Sequence, residues 1–187
     1  YLVEQHALPD ASLIAMVPVS LRLRGEVSPA AGEHAGGNAI GTVLCDLATD
    51  SDDPAVRLAR VQTSMSRGKR SLAEMSQLQI LAMSALTVAP LALGPIPGVV
   101  DRLRPPFNVI ISNVPGPKTP MYWNGARLDG IYPVSLVLDG QALNITVTTY
   151  HDHLEFGLIG CRRSIPHLQR MLTHLETSLA ELELIGK

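Results

Sequence analysis

From Leu143 to Leu158 the side chains follow a period of two, and few structures can accommodate such a run. Leu143, Ile145, Val147 and Thr149 interleave with Asn144, Thr146, Thr148 and Tyr150. Successive side chains of a strand point to opposite faces, so the run predicts a strand with one apolar and one polar face. His151-Asp152 then offers a turn, and Leu154, Phe156 and Leu158 fall on one side of a partner strand. The expected hairpin cannot stand alone in water and must belong to a larger sheet.

Further elements can be placed around it. Leu13 to Leu23 is an almost unbroken apolar run, expected as a buried strand with an edge or bulge at Pro18. Gly25 to Gly37 has the composition of a loop, and a second strand is expected from about Asn38 to Leu47. Asp52-Asp53-Pro54 supplies an acidic cap with proline at the first helical position, and Leu58, Val61 and Met65 continue as an apolar stripe. Phe107 to Val114 is expected as a strand that Pro115-Gly116-Pro117 brings to an end. One or two short strands with a turn at Asn124-Gly125 are expected between Met121 and Val137. Ile165, Leu168, Leu172, Leu175, Leu179 and Leu182 recur at steps of three and four, which predicts a closing helix capped by Ser164. Strands and helices thus alternate, giving a single α/β domain over residues 1–187: an α+β layered, mixed β-sheet flanked by helices.

The segment Met75 to Val100 lacks any charged side chain and is long enough to span a bilayer. Gln77, Gln79, Ser84 and Thr87 oppose that use, and Pro90, Gly94, Pro95, Pro97 and Gly98 break its second half. The expected structure is a buried helix followed by a proline-rich turn; the sharper alternative is a helix and loop at a membrane interface or along an acyl pocket. Tyr1 to His6 has the pattern of the last turns of a helix closed by Pro9, from which a preceding region is expected.

Hydrophobic residues make up 46% of the 187 and charged residues 17%, which excludes a disordered chain. A formal net charge of −2 without a basic stripe argues against nucleic acid as a partner. Cys45 and Cys161, far apart in sequence, are expected as free thiols in a reducing, cytoplasmic setting. His151 and His153 with Cys161 offer three metal ligands but no fourth, so no metal is expected. His167 and His174 fit a solvated helix face. The sequence lacks G-x-S-x-G and G-x-x-x-x-G-K-[ST], and Gly36-Gly37 lacks the frame of a dinucleotide loop. No self-sufficient active site emerges.

The most distinctive string is Ser112-Asn113-Val114-Pro115-Gly116-Pro117. A strand delivers a hydroxyl and an amide, and a proline-glycine-proline turn then fixes their orientation at little entropic cost. On these residues alone, a purely structural turn after a core strand is the favoured reading.

The string resembles the signature of the C-terminal half of the bacterial wax ester synthase/diacylglycerol acyltransferase family. Met16-Val17-Pro18-Val19-Ser20-Leu21-Arg22 resembles that family's M-V-P-V-S-L-R strand, and Gly36-Gly37-Asn38 its G-G-N element. Asp52-Asp53-Pro54 through Arg57-Leu58 is similar to its D-D-P-x-x-R-L helix start, and Tyr150 with Phe156-Gly157-Leu158 to its closing pattern. The likeness runs from about Leu13 to Leu182.

The resemblance implies a half-domain like chloramphenicol acetyltransferase, whose two halves meet around a tunnel. In that superfamily the general base is the second histidine of H-H-x-x-x-D-G in the N-terminal half, a motif this chain lacks. The implied partner is therefore an N-terminal half of the same enzyme, and no catalytic base is expected here. The implied reaction moves an acyl group from acyl-CoA, a co-substrate and the only cofactor-like molecule expected, to diacylglycerol or a long-chain alcohol, giving triacylglycerol or a wax ester. Within it, Ser112 is the implied oxyanion donor, Asn113 the second choice, and Asn38, Pro115, Gly116 and Pro117 substrate-binding residues. Contact with a membrane or lipid droplet is also implied. Rival readings are a half-domain that binds lipid or a partner without turnover, and a condensation domain or polyketide-associated acyltransferase of the same superfamily.

Overall fold

A computed structural model describes residues 1–20, 40–92 and 106–185. Seven strands and three helices follow one another in these segments: β1 (Ile14–Ser20), β2 (Ile40–Asp46), α1 (Pro54–Glu74), α2 (Gln77–Ala92), β3 (Val109–Val114), β4 (Tyr122–Trp123), β5 (Ala126–Arg127), β6 (Leu143–Tyr150), β7 (His153–Gly160) and α3 (Arg170–Ile185). The expected loop at 25–37, Asn38 and the proline-rich turn after Ala92 lie outside the described residues.

Five strands form one mixed sheet in the order β2-β1-β3-β6-β7. β1 and β3 run parallel, as do β3 and β6, while β2 and β7 close the two edges antiparallel to their neighbours. The predicted hairpin is present, with Leu143 opposite Gly160 and Tyr150 opposite His153. Its tight turn places His151 at φ 54°, in the left-handed region. Pro18 sits past the short β1–β3 pairing, which covers only Ala15 and Met16, so its missing N–H costs that ladder nothing.

One face of the sheet is apolar and carries the helices. Ala15, Cys45, Val109, Leu143 and Ile165 form its buried centre, with Val61 and Met65 of α1 and Leu168 and Met171 of the α3 region packed against them. The helix start at Pro54 is capped as expected: the Asp53 carboxylate accepts from the N–H groups of Ala55 at 2.8 Å and Val56 at 3.2 Å. The closing helix begins later than expected, at Arg170 instead of after Ser164. Ser164 and Ile165 both donate to the Cys161 carbonyl, and Arg170, Met171 and Leu172 then bond to carbonyls three residues back. Two tight turns around Pro166 therefore consume the stretch that leucine spacing alone assigns to helix. Tyr1 to Ala7 makes a single turn, which His6 closes at φ 52° ahead of Pro9.

Two expectations are corrected. The uncharged helix α2 is not buried: Ile80 is 5% exposed against Val43 and Leu72, whereas Leu78, Leu81, Met83, Leu86 and Val88 face outward. Ridge packing against α1 and β2 occupies one face only, and no described element covers the other. No helix among the described residues is long and apolar enough to cross a membrane.

The polar face of β6 is the second correction. Asn144, Thr146, Thr148 and Tyr150 are all buried, more deeply than Ile145, Val147 and Thr149 on the apolar face. The chain between β3 and β6 folds back over them. Its start is fixed by the Pro115-Gly116-Pro117 turn, which hugs the end of β6 instead of leaving it. Gly116 N donates to Thr149 Oγ1 at 3.0 Å, and His151 N donates to the Pro117 carbonyl at 2.8 Å. A Cβ on Gly116 would stand 1.9 Å from the Thr149 carbonyl oxygen, so only glycine permits this approach.

At the far corner Asp46 ties three elements together. Ser12 Oγ donates to it at 2.5 Å, the Ala48 N–H at 2.8 Å and Arg60 Nη2 at 2.9 Å. The Ser12 hydrogen bond first, then the Ala48 N–H and Arg60, hold its carboxyl below the usual aspartate range.

Two outcomes follow. Gly116→Ala forces the turn off β6 and lowers stability by about 1–3 kcal/mol in a denaturant titration. Asp46→Asn lowers it by about 1 kcal/mol at neutral pH, discounted for partial exposure. A depressed folded pKa contributes stability above the unfolded value and loses it as pH falls through the folded one. The difference between wild type and Asp46→Asn therefore closes below about pH 4, as urea midpoints across pH will register.

Candidate functional site

β3 is an inner strand, between β1 and β6, and its C-terminal end carries the residues singled out by sequence. Val109 and Ile111 point to the helix side and pack into the core, so Ser112 points to the opposite face with Ile110 and Val114. Ser112 is half-buried, in register with Thr146 of β6. Asn113 belongs to the helix-side face but lies beyond the helices and is exposed. The two candidate donors are therefore adjacent in sequence and presented on opposite faces of the sheet.

The surroundings of Ser112 are hydroxyl-rich. Thr146 Oγ1 shares a 2.5 Å hydrogen bond with Ser135 Oγ and a longer one, 3.4 Å, with Asn144 Oδ1. Asn144 Nδ2 donates to the Leu136 carbonyl at 3.0 Å, and Thr148 Oγ1 to the Val114 carbonyl at 2.8 Å. Tyr150 completes the row: its hydroxyl donates to the Leu128 carbonyl at 2.7 Å and accepts from Met121 N at 3.1 Å. Each buried group on this face thus has a partner, as the cost of an unmet buried hydroxyl demands. Among the described residues the Ser112 side chain has none. Its hydroxyl is held on a rigid inner strand and left free to donate.

The turn residues divide. Gly116 and Pro117 are half-buried against β6 and serve its packing, while Pro115 is exposed. Asn38 lies outside the described residues. Among the described residues, three of the cavities open on the helix side, one of them about 460 Å³ and lined by Asp46, Arg60, Thr63, Ser64 and Arg67. The others lie between α1 and α3 and between β7 and α3. Ser112 and the Pro115–Pro117 turn line none of the three.

The histidines gather differently from the sequence reading. Cys161 follows the far end of β7, away from the hairpin tip, so it cannot join His151 and His153. Asp152 stands in its place, its Oδ1 lying 2.5 Å from His151 Nδ1 and 2.8 Å from His153 Nδ1. These are exposed pairs of small energetic worth. Cys45 and Cys161 are free, on opposite edges of the sheet.

Sequence reasoning missed the buried polar partners, above all Ser135, Asn144 and Tyr150. The signal available was the regularity of the polar positions in β6, which suits a covered face as well as a solvated one.

Comparison with known proteins gives concordant results. The model of the WS/DGAT C-terminal domain matches residues 36–183. A probable diacylglycerol O-acyltransferase of Mycobacterium tuberculosis is 56% identical over 183 residues, covering 98% of this chain and 39% of that protein. The O-acyltransferase WSD of Acinetobacter baylyi is 47% identical over 184 residues, with 98% and 38% covered. The solved wax ester synthase/diacylglycerol acyltransferase from Marinobacter aquaeolei VT8 superposes with a TM-score of 0.80 at 45% identity, covering 98% of this chain and 39% of that one. The chain thus spans well under half the length of these relatives, and its mixed sheet, helices and sequence place it in the wax ester synthase/diacylglycerol acyltransferase (WS/DGAT) C-terminal domain family.

Proposed function

We propose that this chain is the C-terminal part of an acyl-CoA-dependent O-acyltransferase that esterifies diacylglycerol or long-chain alcohols. The names of its relatives support the reaction class. The observation that carries a role for this part is the free Ser112 hydroxyl at the end of an inner strand, amid buried polar groups that are otherwise paired. A serine with no structural partner, held on rigid backbone, is suited to a ligand-facing task.

In this reading a base in the N-terminal half takes the proton of the acceptor hydroxyl, whose oxygen attacks the acyl thioester carbonyl. The carbonyl oxygen becomes an oxyanion, and the Ser112 hydroxyl donates to it where the charge develops. Collapse of the intermediate forms the ester, breaks the carbon–sulfur bond and releases coenzyme A, its sulfur taking up the proton. Asn113, exposed on the other face, is the weaker donor; Pro115, Gly116 and Pro117 act on substrate by fixing the strand end. Asn38 is retained as a substrate contact. No further cofactor or metal takes part.

The outward face of α2 suits the hydrocarbon tails of these substrates. Leu78, Leu81 and Leu86 are each more than 60% exposed on one helix, apolar area that a lipid surface or the acyl chain would cover. The proposed setting is therefore cytoplasmic, in peripheral contact with a membrane or lipid droplet.

In the enzyme carrying both halves, Ser112→Ala lowers kcat by about 10²–10³ while leaving the melting temperature unchanged; near-wild-type turnover refutes the assignment. Leu81→Glu with Leu86→Glu leaves the fold intact and weakens co-flotation with diacylglycerol-containing phosphatidylcholine vesicles at least about tenfold; undiminished flotation removes α2 from the lipid contact.

A further inference from the structure

The β6–β7 turn brings three ligand-type side chains to one point. His151, Asp152 and His153 are consecutive, and in an extended chain neighbouring side chains point apart. The turn removes that divergence. His151 takes the left-handed conformation at φ 54°, and its ring converges with that of His153 on the carboxylate between them. Both Nδ1 atoms meet the same oxygen, Asp152 Oδ1, at 2.5 Å and 2.8 Å, and the three ligand atoms lie within 4.8 Å of one another. Among the described residues, no other three histidine, cysteine or acidic side chains come so close.

Two imidazole nitrogens and one carboxylate oxygen form a borderline donor set, which suits zinc better than magnesium or calcium. The His151 hydrogen bond, first among the causes, holds the Asp152 carboxyl below the usual aspartate range and so keeps its oxygen ionised. Tetrahedral bonds of about 2.0–2.2 Å place ligand atoms about 3.4 Å apart, so the contacts need to open by about 1 Å or less. All three side chains are exposed and can make that adjustment. With an ion in place, each ring carries its proton on Nε2. Three protein ligands with water in the fourth position suffice for zinc, so the lack of a fourth side chain does not exclude an ion.

The turn is also fastened to the bend after β3. His151 N donates to the Pro117 carbonyl at 2.8 Å, and Gly116 N donates to Thr149 Oγ1 at 3.0 Å. An ion that stiffens residues 151–153 therefore stiffens that bend too. We infer that His151, Asp152 and His153 form a zinc site at the β6–β7 turn, and that loading it tightens the turn against Pro115-Gly116-Pro117. The site stands independently of the reaction proposed above, and the ion takes no part in acyl transfer.

The test uses the protein containing both halves, stripped with a chelator and titrated with zinc chloride in a calorimeter, beside His151→Asn and His153→Gln. Asparagine tolerates the left-handed backbone at 151, and His153 is exposed on an edge strand, so both variants should keep the wild-type melting temperature. Wild type should bind one more zinc ion per chain than either variant, or bind it at least about tenfold more tightly. Even an outer partner of a metal ligand is worth about 10–100-fold in affinity. Zinc held elsewhere in the longer protein is common to all three and cancels. Equal zinc binding by wild type and both variants overturns the inference, as does the absence of binding by wild type. Hydrogen–deuterium exchange reads the tightening: saturating zinc should slow the His151 amide at least about tenfold in wild type and leave it unchanged in His153→Gln. Bound zinc with an unchanged His151 amide upholds the ion site and overturns the tightening of the turn.

Discussion

The structure depends on how β6 buries a polar face. Asn144, Thr146, Thr148 and Tyr150 are each less than 10% exposed, and their polar atoms must find partners or forfeit a desolvation cost of about 1–3 kcal/mol apiece. The partners come from the end of β3, the Val114 carbonyl, and from the chain between β3 and β6: Ser135, the Leu136 carbonyl and the Leu128 carbonyl. This sets the course of that connection more firmly than apolar burial would, because each bond fixes one residue against one position of the strand. The Pro115-Gly116-Pro117 turn makes the arrangement reachable by keeping the chain beside β6 after β3 ends.

From that constraint the functional surface follows. A connection pinned by hydrogen bonds on its inner side is free to carry apolar residues on its outer side, and Tyr132, Val134 and Leu136 do so. Ser112, on the same face of the sheet, keeps an unengaged hydroxyl while its neighbours are engaged. A chain that exposes this much apolar surface on α2 and on this connection is built to be covered. The proposed enzyme supplies two kinds of cover: its own other half, and the hydrocarbon of its substrates.

Much of the fold was legible in sequence, for identifiable reasons. Period-two alternation found β6 and β7, Asn124-Gly125 found the β4–β5 hairpin, and Asp53-Pro54 located the start of α1. These are local signals, set by backbone sterics and capping. What escaped depends on partners distant in sequence. The polar row of β6 gives the same pattern whether water or a folded-back connection meets it. Apolar composition marked α2 for burial, but composition does not say which layer is missing. The leucine spacing after Ser164 was regular, and the turns around Pro166 overrode it. The candidate site was legible to the extent of Ser112, whose string is distinctive; its lack of a partner and the separation of Asn113 onto the other face required coordinates.

The central claim is that hydrogen bonding, not apolar burial, holds the connection onto β6. The thermal stability of Asn144→Leu measures this most directly, since leucine has similar volume and offers more apolar area. The account predicts a loss of about 1–3 kcal/mol, from the Leu136 carbonyl and Thr146 losing their partner. Stability equal to or above that of the unaltered chain would contradict it, because a face that needs only burial gains from the exchange.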